Sequence, residues 1–100
     1  MTNSQSVRLP VLVNLTSNER ITIQGAEVRM GRAPENNVVL PDDGYASANH
    51  CRIYWDAGRL LLEDLNSSNG TSLNDKIITQ TMQLAPNDVI KVGRTMFRIE

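Results

Sequence analysis

The chain has 100 residues, of which 40% are hydrophobic and 21% charged, enough for one domain around one core. Ten Lys+Arg stand against eleven Asp+Glu for a net charge of −1, which argues against a nucleic-acid binder or a polybasic membrane binder. Cys51 is the only cysteine and His50 the only histidine, so an internal disulfide and a structural zinc centre are both excluded.

No apolar run approaches the roughly 20 residues of a membrane-spanning helix. The opening MTNSQSVRLPVLVNL has neither the charged start nor the apolar stretch of a signal peptide. Residues 1–6 are polar and read as a frayed tail, leaving 7–100 as the folded domain. From there the apolar spacing is mostly two. Leu9, Val11, Val13 and Leu15 alternate; Ile21 pairs with Ile23 and Val28 with Met30. Cys51, Ile53 and Trp55 continue the pattern, as do Ile90 with Val92 and Phe97 with Ile99. Such alternation buries one face and wets the other, as in antiparallel strands. Val, Ile and Thr number 22, which favours pleated structure.

Turn clusters interrupt the pattern at short intervals, among them Thr16-Ser17-Asn18, Pro41-Asp42-Asp43-Gly44, Asn66 to Gly70, Asn74-Asp75 and Pro86-Asn87. Many short strands between frequent turns predict an all-β antiparallel sandwich or barrel. The expected strands lie near 9–15, 19–24, 27–31, 38–40, 50–56, 59–64, 71–73, 76–78, 81–84, 88–92 and 95–100. Residues 71–85 also admit a helix, because they lack Gly and Pro and Leu73, Ile77 and Leu84 lie near helical spacing. Asn74-Asp75, Thr79 and Thr81 oppose it as mediocre helix formers.

Three polar loops carry more than a plain sandwich requires. They contain Gly31-Arg32, Ser47-Ala48-Asn49-His50, and Asp64-Leu65-Asn66-Ser67-Ser68-Asn69-Gly70-Thr71. Each has a plain reading: a solvated arginine, a turn serine, a histidine satisfying backbone groups, a hairpin Asn-Gly. Together, with Asn74, the run Leu84-Ala85-Pro86-Asn87-Asp88-Val89-Ile90, Val92-Gly93 and Phe97, their order and spacing resemble the forkhead-associated (FHA) domain from about Arg20 onward. The resemblance implies an eleven-stranded sandwich with binding loops gathered at one end, and assigns 71–85 to strands and a turn.

It also implies a function: binding phosphothreonine-containing segments of a partner protein, without catalysis. A phosphothreonine carries about −1.5 to −2 charge and three strong acceptor oxygens. Arg32 would supply the permanent cation and Ser47 a hydroxyl donor to phosphate. Ser68 would help grip the phosphate or peptide, and Asn69 would bond the peptide main chain. Gly31, His50, Asp64, Gly70, Thr71 and Asn74, with Asn37, would hold these loops in shape. Tyr45 lies in the stretch 33–46 expected to read residues beyond the phosphothreonine.

Two positions depart from the family. Ala48 stands where a second phosphate donor is common, a bond worth roughly 1.5–3 kcal/mol, with Arg29 and Arg52 as candidate substitutes. Asn87 stands where Gly is usual. Ala48 keeps open the alternative of a phospho-independent protein-interaction domain of the same fold. Ser47, His50 and Asp64 could also be read as a nucleophile triad, but no Gly-x-Ser-x-Gly elbow accompanies them. No cofactor, metal, nucleic-acid or membrane partner is implied. A cytoplasmic location within a longer polypeptide is expected.

Overall fold

A computed structural model describes residues 8–100, so the expected tail at 1–6 lies outside the described residues. Eleven strands follow one another without a helix among the described residues: β1 (Val11–Asn14), β2 (Arg20–Thr22), β3 (Glu27–Gly31), β4 (Val38–Val39), β5 (Cys51–Asp56), β6 (Arg59–Asp64), β7 (Thr71–Leu73), β8 (Lys76–Ile77), β9 (Met82–Gln83), β10 (Val89–Val92) and β11 (Thr95–Ile99). They form two sheets, a six-stranded one in the order β2-β1-β11-β10-β7-β8 and a five-stranded one in the order β4-β3-β5-β6-β9. The expected strands are all present and trimmed by a residue or two at half of their ends.

The sheets enclose a core formed by alternate residues. Val28 and Met30 of β3, Cys51 and Ile53 of β5, Ile90 and Val92 of β10, and Phe97 and Ile99 of β11 are buried as the alternation requires. β1 runs in the opposite phase to its apolar spacing. Leu12 is fully buried, whereas Leu9 and Leu15 are 43% and 37% exposed. Register explains this: Leu12 lies between Ile21 of β2 and Ile99 of β11, in line with inward residues. Val13 faces the other way between Arg20 and Arg98, whose aliphatic stems can shelter it.

Two further local differences have clear causes. The segment 71–85 is not helical, because Asn74 and Asp75 have φ of 52° and 71°. Two successive left-handed residues make a tight hairpin turn and end any right-handed helix. One strand pair is not antiparallel: β4 runs parallel to β3, pairing Met30 with Val38 and Gly31 with Val39. The excursion 32–37 doubles back to allow it, and Asn37 pins the return by accepting a 2.8 Å hydrogen bond from Arg29 N. Asn87, at φ 74°, occupies a turn that glycine would also fill.

Phe97 is the largest fully buried side chain. Phe97→Ala is expected to remove about 3–5 kcal/mol from a domain whose total is of the order of 5–15 kcal/mol. Urea denaturation followed by Trp55 fluorescence measures this as a lower midpoint at nearly constant slope.

Candidate phosphopeptide site

The excursion after β3, the β4–β5 loop and the β6–β7 loop are joined by a network of hydrogen bonds. Arg32 N donates to Ser47 O at 2.9 Å and Ala33 N to Ala48 O at 3.1 Å, so the first two loops run side by side as backbone. Gly31 makes that approach feasible, because a Cβ there would collide with the Ala48 carbonyl oxygen. Asn36, buried beneath them, donates from Nδ2 to Ala33 O (2.9 Å) and Ala48 O (2.7 Å). Asn36, and not its neighbour Asn37, is the residue that ties these two loops together. Its signal is a polar residue at the inward phase, two residues before Val38.

His50 joins the second and third loops from a fully buried position. Its Nδ1 accepts from Ser47 N at 3.0 Å. The backbone amide can only donate, so Nδ1 is unprotonated and Nε2 donates to Gly70 O at 2.9 Å. His50 N also donates to Met30 O, and His50 O accepts from Leu65 N, both at 2.9 Å. The imidazole therefore bonds the Ser47 amide and not its hydroxyl, and both ring nitrogens are engaged. The triad reading of Ser47, His50 and Asp64 has no geometric basis.

Asp64 holds the third loop at its base. Its carboxylate accepts from Ser67 N (3.1 Å), Ser67 Oγ and Thr71 Oγ1 (2.7 Å). Thr71 is fully buried, and Gly70 turns the chain into it at φ 82°. Partial burial alone would raise the Asp64 carboxyl, but the hydrogen bonds from Ser67 and Thr71 outweigh it and hold the group below the usual carboxylate range. Burial pushes the neighbouring Cys51 thiol up to about 12, so Cys51 is an inert core residue.

At the tip, Ser47 Oγ accepts from Ser68 N at 2.9 Å. The hydroxyl oxygen is thereby filled from the protein side while its proton remains available to donate. Arg32 is exposed and pairs with no carboxylate among the described residues. Ser68 and Asn69 are exposed beside them. Asn69 Nδ2 donates to Tyr45 O at 2.9 Å, which fixes the amide and leaves its oxygen and second N–H outward. The structure thus brings Arg32, Ser47, Ser68 and Asn69 to one end, with Gly31, His50, Asp64, Gly70 and Thr71 behind them.

Asn74 does not join this group. It bonds Asp88 Oδ1 (3.0 Å) and Val89 N (2.9 Å), so it braces the turn before β10, because the β7–β8 hairpin carries it away from the β6–β7 loop. Arg29 and Arg52 do not replace the donor missing at Ala48. Arg29 pairs with Glu27 at 3.0 Å, and Arg52 pairs with Glu27 (3.0 Å) and Glu63 (2.6 Å). Arg52 also stacks 3.9 Å from the Tyr54 ring centroid. Both are held on the face of the five-stranded sheet.

Asp43, legible in the sequence only as a turn residue, and Arg94 add a further tie at the tip. The Asp43 carboxylate accepts from Tyr45 N (3.0 Å), Arg94 N (2.8 Å) and Thr95 Oγ1 (2.7 Å), tying the β4–β5 loop to the β10–β11 turn. Arg94 lies over Tyr45, 4.0 Å from its ring centroid, and donates to its hydroxyl at 2.9 Å.

Comparison with known proteins accords with this frame. The family model of the FHA domain matches residues 28–93. The chain belongs to the FHA domain family. FhaB of Mycobacterium tuberculosis is 34% identical over 80 residues, covering 80% of this chain and 51% of that protein. FhaA of the same species is 44% identical over 66 residues, covering 66% of this chain and 12% of FhaA. The chain thus spans about half the length of FhaB and a small part of FhaA. Among solved structures, one from an analysis of phosphothreonine-dependent FHA domain interactions has a TM-score of 0.84 at 32% identity, covering 92% of this chain and 95% of that one. The FHA domain of FhaA, complexed with an intracellular domain of another protein, gives 0.83 at 33%, covering 91% and 99%. EmbR of Mycobacterium tuberculosis, in complex with a low-affinity phosphopeptide, gives 0.87 at 27%, covering 92% and 24%.

The depressed Asp64 carboxyl has a consequence for stability. Its contribution is complete above the unfolded-chain value of about 3.9 and is lost as pH falls through the lower folded-state value. Thermal melts across the acid range are expected to show this loss, with a shallower decline in Asp64→Asn.

Proposed function

We propose that the domain binds a phosphothreonine-bearing segment of a partner protein across the three loops, with recognition and no chemistry. One observation carries the reading: Ser47 Oγ accepts the Ser68 amide, which leaves its proton free to donate, and the Ser47 carbonyl accepts from the backbone amide of Arg32, an arginine without a carboxylate partner among the described residues. Arg32 supplies charge and a planar fork, and Ser47 a neutral donor. Each charge-assisted bond contributes roughly 1.5–3 kcal/mol. Ser68 adds a further hydroxyl, and Asn69 bonds the peptide main chain through the amide face left outward by its bond to Tyr45. Removing the phosphate leaves only main-chain and side-chain contacts, which sets the preference for the modified segment.

The FHA relatives with phosphothreonine or phosphopeptide ligands support this reading, as do the loop braces, which keep the donors in place before the ligand arrives. Ala48 favours a second reading, a phospho-independent interaction domain, because its methyl offers no donor at the position next to Ser47. We place the domain in the cytoplasm, as part of a longer polypeptide and in reach of a threonine kinase; no helix among the described residues is long and apolar enough to cross a membrane.

Fluorescence anisotropy with a degenerate phosphothreonine peptide library, set against its unphosphorylated twin, separates the two readings. Binding of the phosphorylated library alone is expected; equal binding would establish the second reading. Arg32→Ala should weaken phosphopeptide binding by about 2–5 kcal/mol with an unchanged melting temperature. A folded variant that binds normally removes Arg32 as the anchor.

A further inference from the structure

The far end of the sandwich has no part in the phosphothreonine reading. β5 leaves the tip at Cys51, next to His50, and β11 leaves it at Thr95, which bonds Asp43. Four residues further on, at about 3.3 Å each, Trp55 and Ile99 stand roughly 13 Å from the loops. There β5 turns into β6 through Ala57 and Gly58 alone, at φ 53° and 77°, a connection too short to fold across the end of the core. A cleft of about 500 Å³ opens beside it. Its floor is the end of the core itself, the buried side chains of Leu60, Leu84 and Ile99. Leu9 and Trp55 flank it and are 43% and 36% exposed.

The charges around this cleft are one-sided. Arg8, Arg20 and Arg59 line it, and Glu100 is the one carboxylate among its lining residues. Glu100 is already engaged twice, by Arg20 Nη1 at 2.9 Å and by Arg98 Nη2 at 2.6 Å. Arg8 and Arg59 are exposed and pair with no carboxylate among the described residues. Asp56 stands opposite Arg59 across the hairpin without forming an ion pair with it. Three cations against one carboxylate leave an excess of two positive charges, on a chain whose net charge is −1. The cleft is also concave, with core residues at its bottom. A flat lipid surface would touch the rim and leave the floor wet, whereas a side chain inserted from a polypeptide covers the floor and brings its neighbours to the rim.

We propose that this cleft is a second docking site, which takes an acidic segment of a partner protein. One apolar side chain of the segment, the size of leucine or phenylalanine, rests on Leu60, Leu84 and Ile99, and Asp or Glu beside it meet Arg8 and Arg59. The site goes beyond the phosphothreonine reading and does not depend on it. Because the two sites lie at opposite ends, the domain holds both ligands at once and connects a phosphorylated protein to an acidic one.

Trp55 is the only tryptophan, so its fluorescence reports occupancy of the cleft directly. The probe is a tryptophan-free, unphosphorylated peptide library with Leu, Ile or Phe at its centre and flanks drawn from Asp, Glu, Ser and Gly. One control library carries Ala at the centre, and another replaces the acids with Asn and Gln. The parent library is expected to give a saturable change in Trp55 fluorescence. Affinity should fall about tenfold or more with Ala at the centre, and about two- to fivefold for each of Arg8→Gln and Arg59→Gln, as for exposed ion pairs. Both variants should keep the melting temperature and the affinity for a phosphothreonine peptide, and a saturating phosphothreonine peptide should not displace the acidic one. No fluorescence change with the parent library, binding that survives both substitutions together, or displacement by the phosphothreonine peptide overturns the site. So does a dimer in sedimentation, or attachment to phosphatidylserine vesicles, that the same substitutions abolish, since a second copy or a bilayer would then be the occupant. If the acidic library binds and no phosphothreonine peptide does, this site stands and the phosphothreonine reading falls.

Discussion

The buried imidazole of His50 is the constraint on which the binding end depends. It sits where three loops meet and satisfies a donor in one and an acceptor in another, while its own backbone bonds the end of β3 and the start of the third loop. Such a group is stable inside a protein only when every polar atom finds a partner. An apolar side chain of the same shape would leave the Ser47 amide and the Gly70 carbonyl without partners, and the loops would separate to regain water. The fixed spacing between the Ser47 hydroxyl and the third loop therefore originates one layer below the surface.

The chemistry of the tip follows from how the bracing is distributed. Asn36, His50 and Asp43 bond mainly backbone groups, and Asp64 secures the base of its own loop. None of these braces draws on the Arg32 guanidinium. The protein thus reaches a rigid loop geometry while leaving its permanent charge unneutralised, which is what an anion ligand requires. The arginines of β3 and β5 show the contrast, since Arg29 and Arg52 are held by Glu27 and Glu63 and serve the sheet surface.

Most of the fold was legible because alternation and turn chemistry agree along the chain. The phase of β1 was not legible, since Leu9, Val11, Val13 and Leu15 spell one face and the lateral neighbours Ile21 and Ile99 select the other. Register is a property of pairs of strands, and a single strand's spacing does not contain it. The same reason hides the parallel β3–β4 pair. At the site, Arg32, Ser47, His50 and Asn69 stand out because residue type and spacing carry their chemistry. Asn36, Asp43 and Arg94 were missed because their roles lie in contacts across loops, as between Asp43 and the β10–β11 turn. Asn74 braces a turn, and only the hairpin's direction shows that it is the one before β10.

The margins of the two sheets are also informative. β2, β8, β4 and β9 occupy the four edges and are two or three residues long. An open edge invites another polypeptide to add itself as a further ribbon, and brevity is one of the ways natural proteins deny that invitation. Edges this short offer little template for lateral growth, so the fold itself disfavours fibrous self-association.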